Sequence, residues 1–296
     1  ELRVEEHLAD GAEHGGEEEG RHEDDGSLGH RELAREEAGE PRAWYTAGRE
    51  CETAGDVHRL EDVGSLGGAH PRAFGERGVP AARLHLIYNW CDERSLTASS
   101  TPTPSVLPQD GHFNIVFAGN MGTLQGLTSV LEAALLLQDE QRRIRFVLIG
   151  GGLETEHLKT IAQESRLENV VFLPRVSMEE IGGYLQAADA LLVHLKAQPI
   201  FEITIPSKTQ AYMAMGKPLL MATRGDATQL VLESGCGIEA RPEDPESIAQ
   251  AARELAALPP DELLAMGARA KEYYAQHLSL SVGVDRFLSV FDALHG

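Results

Sequence analysis

Apolar and polar positions follow two different periods along this chain, and where each period holds decides which elements are predicted. Short apolar runs at residues 113–118 (F-N-I-V-F-A), 146–149, 170–173, 190–195, 218–222 and 237–240 read as strands buried on both faces. Between them, apolar residues recur at helical spacing over 127–137, 154–165, 178–187, 226–234 and 245–256. A shorter helix runs from Ser207 through Tyr212 to Gly216, and two helices, 260–277 and 280–294, close the chain. Strands separated by single helices imply right-handed crossovers. The predicted fold class is therefore α/β, a doubly wound parallel six-stranded sheet.

Upstream the pattern fails. Residues 83–90 end in one further strand after the Gly78-Val79-Pro80 turn, and residues 95–110 have the Ser, Thr and Pro content of a linker. Residues 1–75 contain no Ile, Met or Lys and carry −12 of the chain's net charge of −21. With so little to bury, chain entropy predicts an acidic segment that is disordered, or aberrant in the sense of a coding region read out of frame. The expected organisation is this segment at 1–75, a remnant strand and linker at 76–110, a ligand-binding domain at 111–277 and a carboxyl-terminal crossover helix at 278–296.

Charge and composition then narrow the function. A net charge of −21 excludes nucleic acid as the expected partner. Three separated cysteines, Cys51, Cys91 and Cys236, form neither a disulfide framework nor a metal-ligand pattern, which points to a reducing, cytoplasmic setting with no metal. The histidines of the first 75 residues repeat at no fixed spacing. There is no apolar run of ~18 residues and no signal-peptide core.

Ligands of such sheets bind beyond the carboxyl ends of the strands, so the loops there hold the candidate chemistry. Pro206 ends an extended stretch, Ser207 can cap the next helix, and Lys208 lies in its first turn. A cation at the positive end of a helix dipole calls for an anion between them. In Gly119-Asn120-Met121-Gly122-Thr123-Leu124-Gln125-Gly126, Gly119 and Gly122 let backbone amides face a phosphate, while Asn120 and Gln125 supply uncharged hydrogen bonds. Arg175, next to Val176, can pair with phosphate or stack on a base, and Glu202 can accept from ribose hydroxyls. Tight-turn glycines, a solvated arginine and an exposed helix-start lysine are the plainer alternatives. Neither G-x-G-x-x-G nor the P-loop pattern occurs, and no hydrolase triad, zinc-protease motif or carboxylate pair is present.

Taken together, I-Y-N-W at 87–90, G-N-M-G-T-L-Q-G-L at 119–127, F-V-L-I-G-G-G at 146–152, V-V-F-L-P-R-V at 170–176 and I-P-S-K-T-Q-A-Y-M-A-M-G-K-P at 205–218 resemble the carboxyl half of a family-4 glycosyltransferase of the GT-B fold. The similarity is strongest to the colanic-acid and O-antigen branch, and it implies a GT-B carboxyl-terminal Rossmann-like domain. The implied activity is metal-independent, retaining transfer of a sugar from a nucleotide diphospho-sugar, UDP-linked, to a lipid-linked or saccharide acceptor, with no cofactor beyond the donor substrate. It further implies a cytoplasmic protein, with peripheral association at the inner face of the membrane through the acceptor. On this resemblance Lys208 is the catalytic cation. The Gly119–Gly122 loop lies near the diphosphate, Arg175 and Val176 near the base, and Glu202 near the ribose; Ser207 and Gln210 complete the S-K-T-Q form of that branch. The wider family has Arg and Lys where this chain has Asn120 and Gln125, which leaves Lys208 as the main phosphate cation. The amino-terminal half that binds acceptor in this family has no counterpart in residues 1–75, and the last helix is expected to expose an apolar face. A UDP-N-acetylglucosamine 2-epimerase-like enzyme and a non-catalytic nucleotide-binding module are the competing readings.

Overall fold

The structure, a computed structural model, describes residues 43–46, 63–66, 80, 84–97, 107–108, 110–140 and 143–295. The chain divides into units Glu1–Pro41 and Arg42–Gly296, and everything described belongs to the second. Three short strands, β1 (Ala43–Thr46), β2 (Val63–Leu66) and β3 (Leu84–Ile87), pair in parallel in the order β1-β2-β3. The hydrophobic pattern assigned no strand to the first 75 residues, so β1 and β2 correct that expectation. Four-residue strands in Gly-rich, acidic text carry too few apolar positions to register as a period. The rest of the 1–75 expectation lies outside the described residues. Helix α1 (Glu93–Thr97) occupies the start of the expected linker, because Leu96 and Leu107 are buried against the larger sheet's core.

That sheet has six parallel strands, as expected: β4 (Phe113–Asn120), β5 (Ile144–Gly151), β6 (Val170–Leu173), β7 (Ala190–His194), β8 (Leu219–Ala222) and β9 (Gly237–Glu239), ordered β6-β5-β4-β7-β8-β9. Alternate residues of each central strand enter opposite cores. Ile115, Phe117, Phe146, Leu148, Ala190 and Leu192 face α2 (Thr128–Leu137), α3 (Thr155–Glu164) and α8 (Pro245–Ala257). Val116, Val147, Ile149, Leu191 and Val193 face α4 (Met178–Ala187), α6 (Ser207–Met215), α7 (Asp226–Glu233) and α9 (Pro260–His277). Burial on both faces is why the strands read as continuous apolar runs. A short helix α5 (Pro199–Glu202) lies in the loop after β7.

The last helix, α10 (Leu280–His295), runs past β3, where its Gly283 lies so close to the Trp90 ring that a Cβ would fall 2.5 Å from it. Leu280, Val284, Leu288 and Phe291 are exposed along it at helical spacing. No helix among the described residues is long and apolar enough to cross a membrane.

Candidate functional site

The strand order reverses between β4 and β7, and there the sheet opens. Their pairing ends at Val116 and Leu191, whereas β4 stays paired with β5 as far as Asn120 and Gly151. Phe113 and Met121 donate toward β5 and Asn114 toward the β7 side, so by alternation Ala118 faces the gap left where β7 turns away. Tyr212 closes that gap: its buried hydroxyl accepts from the Ala118 N–H at 2.8 Å and donates to the Ala118 carbonyl at 3.2 Å. Burial pushes the phenol's pKa well above its ordinary value. The two helices flanking the crevice leave opposite faces of the sheet, α2 from the loop after β4 and α6 from the loop after β7.

Lys208 crosses this crevice from the α6 side to the α2 side. Its ammonium lies 3.7 Å from the centre of the Phe117 ring and donates to Gln125 Oε1 at 3.0 Å. A Cβ on Gly119 would sit 3.5 Å from Lys208 Nζ. Among the described residues no carboxylate forms an ion pair with it. Loss of water around the head group lowers its pKa to about 7. A cation held by a ring face and one amide oxygen, at the positive end of a nine-residue helix, is a site short of an anion. The first N–H groups of such a helix have no partners within it.

The structure gathers some of the expected residues and leaves others apart. Gly119, Gln125 and Lys208 meet at the crevice. Asn120 is exposed, with its amide between the loops after β4 and β5, where a Cβ on Gly152 would come within 2.5 Å of its Oδ1. Gly122 begins the 3-10 turn Thr123–Gln125. Close approach of the two strand ends demands glycine at 150, since a Cβ there would lie 2.0 Å from the Gly119 carbonyl oxygen. Pro206, not Ser207, holds the cap position of α6, so Ser207 is its first helical residue and its exposed hydroxyl makes no cap bond. Gln210 is turned inward: with its amide oriented to match donors to acceptors, it donates to the carbonyls of Pro206 at 2.8 Å and Ser207 at 3.1 Å.

Arg175 is exposed beside half-buried Val176, just before Ser177, which caps α4 and forms a reciprocal pair with Glu180. Glu202 ends α5 with its side chain exposed, and its backbone is packed against Gly225. Neither is among the groups that surround the Lys208 ammonium.

Sequence reasoning missed two residues here, Tyr212 and His194. Both are polar groups within apolar runs, which was the available signal. On the α2 side of the same loop, a cavity of about 240 Å3 is lined by Gly122, Thr123, Ser129, Glu154, Lys196 and Glu243 among others, and Lys208 is not part of its wall. No cluster of three or more His, Cys, Asp or Glu side chains suited to a metal ion occurs among the described residues.

Residues 112–257, which carry this crevice, match the family described as glycosyl transferases group 1. The chain contains a glycosyl transferase group 1 domain. It is 27% identical over 209 residues to "Probable glycosyltransferase WbjE" of Pseudomonas aeruginosa, covering 69% of this chain and 51% of that one. It is also 27% identical over 165 residues to WcaI of Escherichia coli (strain K12), a glycosyl transferase named for colanic acid biosynthesis, covering 54% and 40%. The chain thus spans about half the length, or less, of these curated relatives. Among solved structures, Anabaena Alr3699/HepE in complex with UDP superposes with a TM-score of 0.67 at 16% identity, covering 86% of this chain and 72% of that one, which shows a shared fold. The 2-epimerase reading gains no support from these matches.

Proposed function

We propose that this chain is the donor-nucleotide half of a metal-independent, retaining glycosyltransferase. It would bind the diphosphate of a UDP-sugar at the β4–β7 crevice and pass the sugar to a lipid-linked or saccharide acceptor of a surface polysaccharide. One observation carries the reading: a lysine that pairs with no carboxylate among the described residues crosses the topological switch point at the start of a helix. The relatives' names support the transfer of a sugar, and the UDP held by HepE supports the class of donor.

When the donor's glycosidic bond breaks, negative charge grows on the departing diphosphate. Lys208 and the first amides of α6 offset that charge without having to reorganise. Asn120, Ser207 and the Gly119–Gly122 backbone hold the phosphates, and the exposed Arg175 and Glu202 are available to the base and ribose. The site would work at the cytoplasmic side of a membrane that carries the acceptor, with the protein held there through that substrate.

Titration calorimetry of the full chain with UDP, in the presence of a chelator, tests this. Lys208→Met keeps the side-chain stem over Phe117 and removes the charge. It should weaken UDP binding by about 1.5–3 kcal/mol, roughly 10- to 150-fold. Wild-type protein that is folded and does not bind UDP, or a Met variant that binds as tightly, overturns the proposal. The non-catalytic alternative is favoured if no sugar is transferred once a complete acceptor-binding half is supplied.

A further inference from the structure

We propose that His194 is a positioning residue of this site, setting the place of Lys208 through the main chain of Gln125. His194 is the last residue of β7 and fully buried. None of its side-chain bonds is to a neighbouring strand. Nδ1 lies 2.7 Å from the Gln125 carbonyl oxygen, and Nε2 lies 3.3 Å from the Glu243 backbone nitrogen and 3.1 Å from Ser129 Oγ.

The tautomer follows from these partners. A backbone N–H can only donate, so Nε2 accepts from Glu243 and the ring proton sits on Nδ1, donating to Gln125. Ser129 Oγ carries one proton, which it donates chiefly to the Gly126 carbonyl at 2.8 Å, so its contact with Nε2 is the weaker arm of a shared bond. Burial lowers the imidazole's pKa to about 4, which keeps the ring neutral near pH 7. A single side chain therefore ties the 3-10 turn, the first turn of α2 and the loop after β9 to the end of β7.

Gln125 is the hinge of the inference. Its carbonyl is held by His194, and its side-chain oxygen holds the Lys208 ammonium. Elsewhere the turn is held at its neighbours, with the Lys196 N–H donating to the Leu124 carbonyl at 3.0 Å and Thr123 Oγ1 donating to Glu154 at 3.2 Å, whereas the carbonyl of Gln125 itself is held by His194. Without the bond to His194 the Gln125 peptide can rotate between its held neighbours, and a shift of about 1 Å is enough to spoil a charge-assisted contact. A buried histidine that only stabilised the fold would alter stability and leave the surroundings of Lys208 unchanged; a positioning residue changes those surroundings through Nδ1.

The experiment separates the two arms in the full chain. His194→Asn keeps a donor near the place of Nδ1, and His194→Gln keeps an acceptor near the place of Nε2. Titration of the Lys208 side chain, followed by 13C NMR, reads its surroundings without any ligand. Wild type and His194→Asn are expected to titrate alike. In His194→Gln the lysine should titrate more than one pH unit higher, as its head group reaches water. The effect on affinity rests on the donor-site reading: UDP should bind at least tenfold more weakly to His194→Gln, and within about threefold of wild type to His194→Asn.

Equal lysine titration in wild type and both variants, with only the melting temperature lowered, overturns the proposal. If the lysine titrations divide as expected but no form binds UDP, the positioning stands and the donor-site reading fails. Should His194→Gln not fold, Gln125→Ala removes the next link and must raise the lysine titration in the same way. An unmoved lysine there also overturns the proposal.

Discussion

Replacing Tyr212 with Phe removes a single oxygen atom from the point where the sheet opens. That oxygen serves both polar groups of Ala118, at 2.8 and 3.2 Å, on the side of β4 where β7 has already diverged. The ring itself is kept, so no cavity term enters. Each buried backbone group left without a partner costs about 1–3 kcal/mol. Ala118 is only half-buried, so water can recover part of that, and a net loss of about 2 kcal/mol is expected. For a domain of this size the melting temperature should fall by roughly 4–8 °C.

The change also reaches the ligand. Tyr212 lies one helical turn beyond Lys208 on the same face of α6, so the bond that fixes α6 to β4 also fixes the lysine's approach. Urea denaturation with UDP titration on the same samples is the assay. The midpoint should drop at unchanged slope, and UDP affinity should fall with it. An unchanged midpoint would show that Ala118 does not depend on the phenol, and the account of the strand opening given above would be wrong.

Acid should destabilise the domain through His194. Its folded pKa of about 4 lies below the ordinary 6.5, so the unfolded chain binds the extra proton between those values. This contribution is complete above pH 6.5 and is lost as pH falls toward 4, by about 3 kcal/mol at most. Urea midpoints across that range should show a slope that His194→Gln flattens. Gly267→Ala would place a Cβ 2.2 Å from the Gly216 carbonyl oxygen, where α9 lies against the left-handed cap of α6. Forcing these elements apart should cost about 1–3 kcal/mol by calorimetry, and an unchanged melting temperature would show that the contact is slack.

The sheet was legible because its strands are buried on both faces. A run such as Ala190-Leu191-Leu192-Val193 has no other reading between two helical stretches, and all six strands fall where the apolar runs place them. The helix ends were nearly as clear: Gly216 takes the left-handed conformation expected of a C-cap, and Ser177 caps α4. The start of α6 moved by one residue because proline's fixed φ already suits the cap position, leaving Ser207 inside the helix. The residues that organise the crevice were harder to see. His194 bonds to groups 69, 65 and 49 residues away, and Tyr212 to one 94 away, so the local signal, a polar group in an apolar run, does not say what either one holds. Gln210 shows the converse. Its position in S-K-T-Q suggests ligand contact, while helical periodicity turns it toward the core.

The departure from the family pattern at 125 also acquires a physical reason. A lysine at 125 would put a second ammonium where the Gln125 amide oxygen now stands, 3.0 Å from Lys208 Nζ, and the two charges would repel in a space already short of water. A neutral amide there accepts instead. The crevice thus holds its cation on the helix and a neutral acceptor on the loop, and one follows from the other: with Lys208 reaching across to Phe117, residue 125 must be able to receive a hydrogen bond and must not carry positive charge.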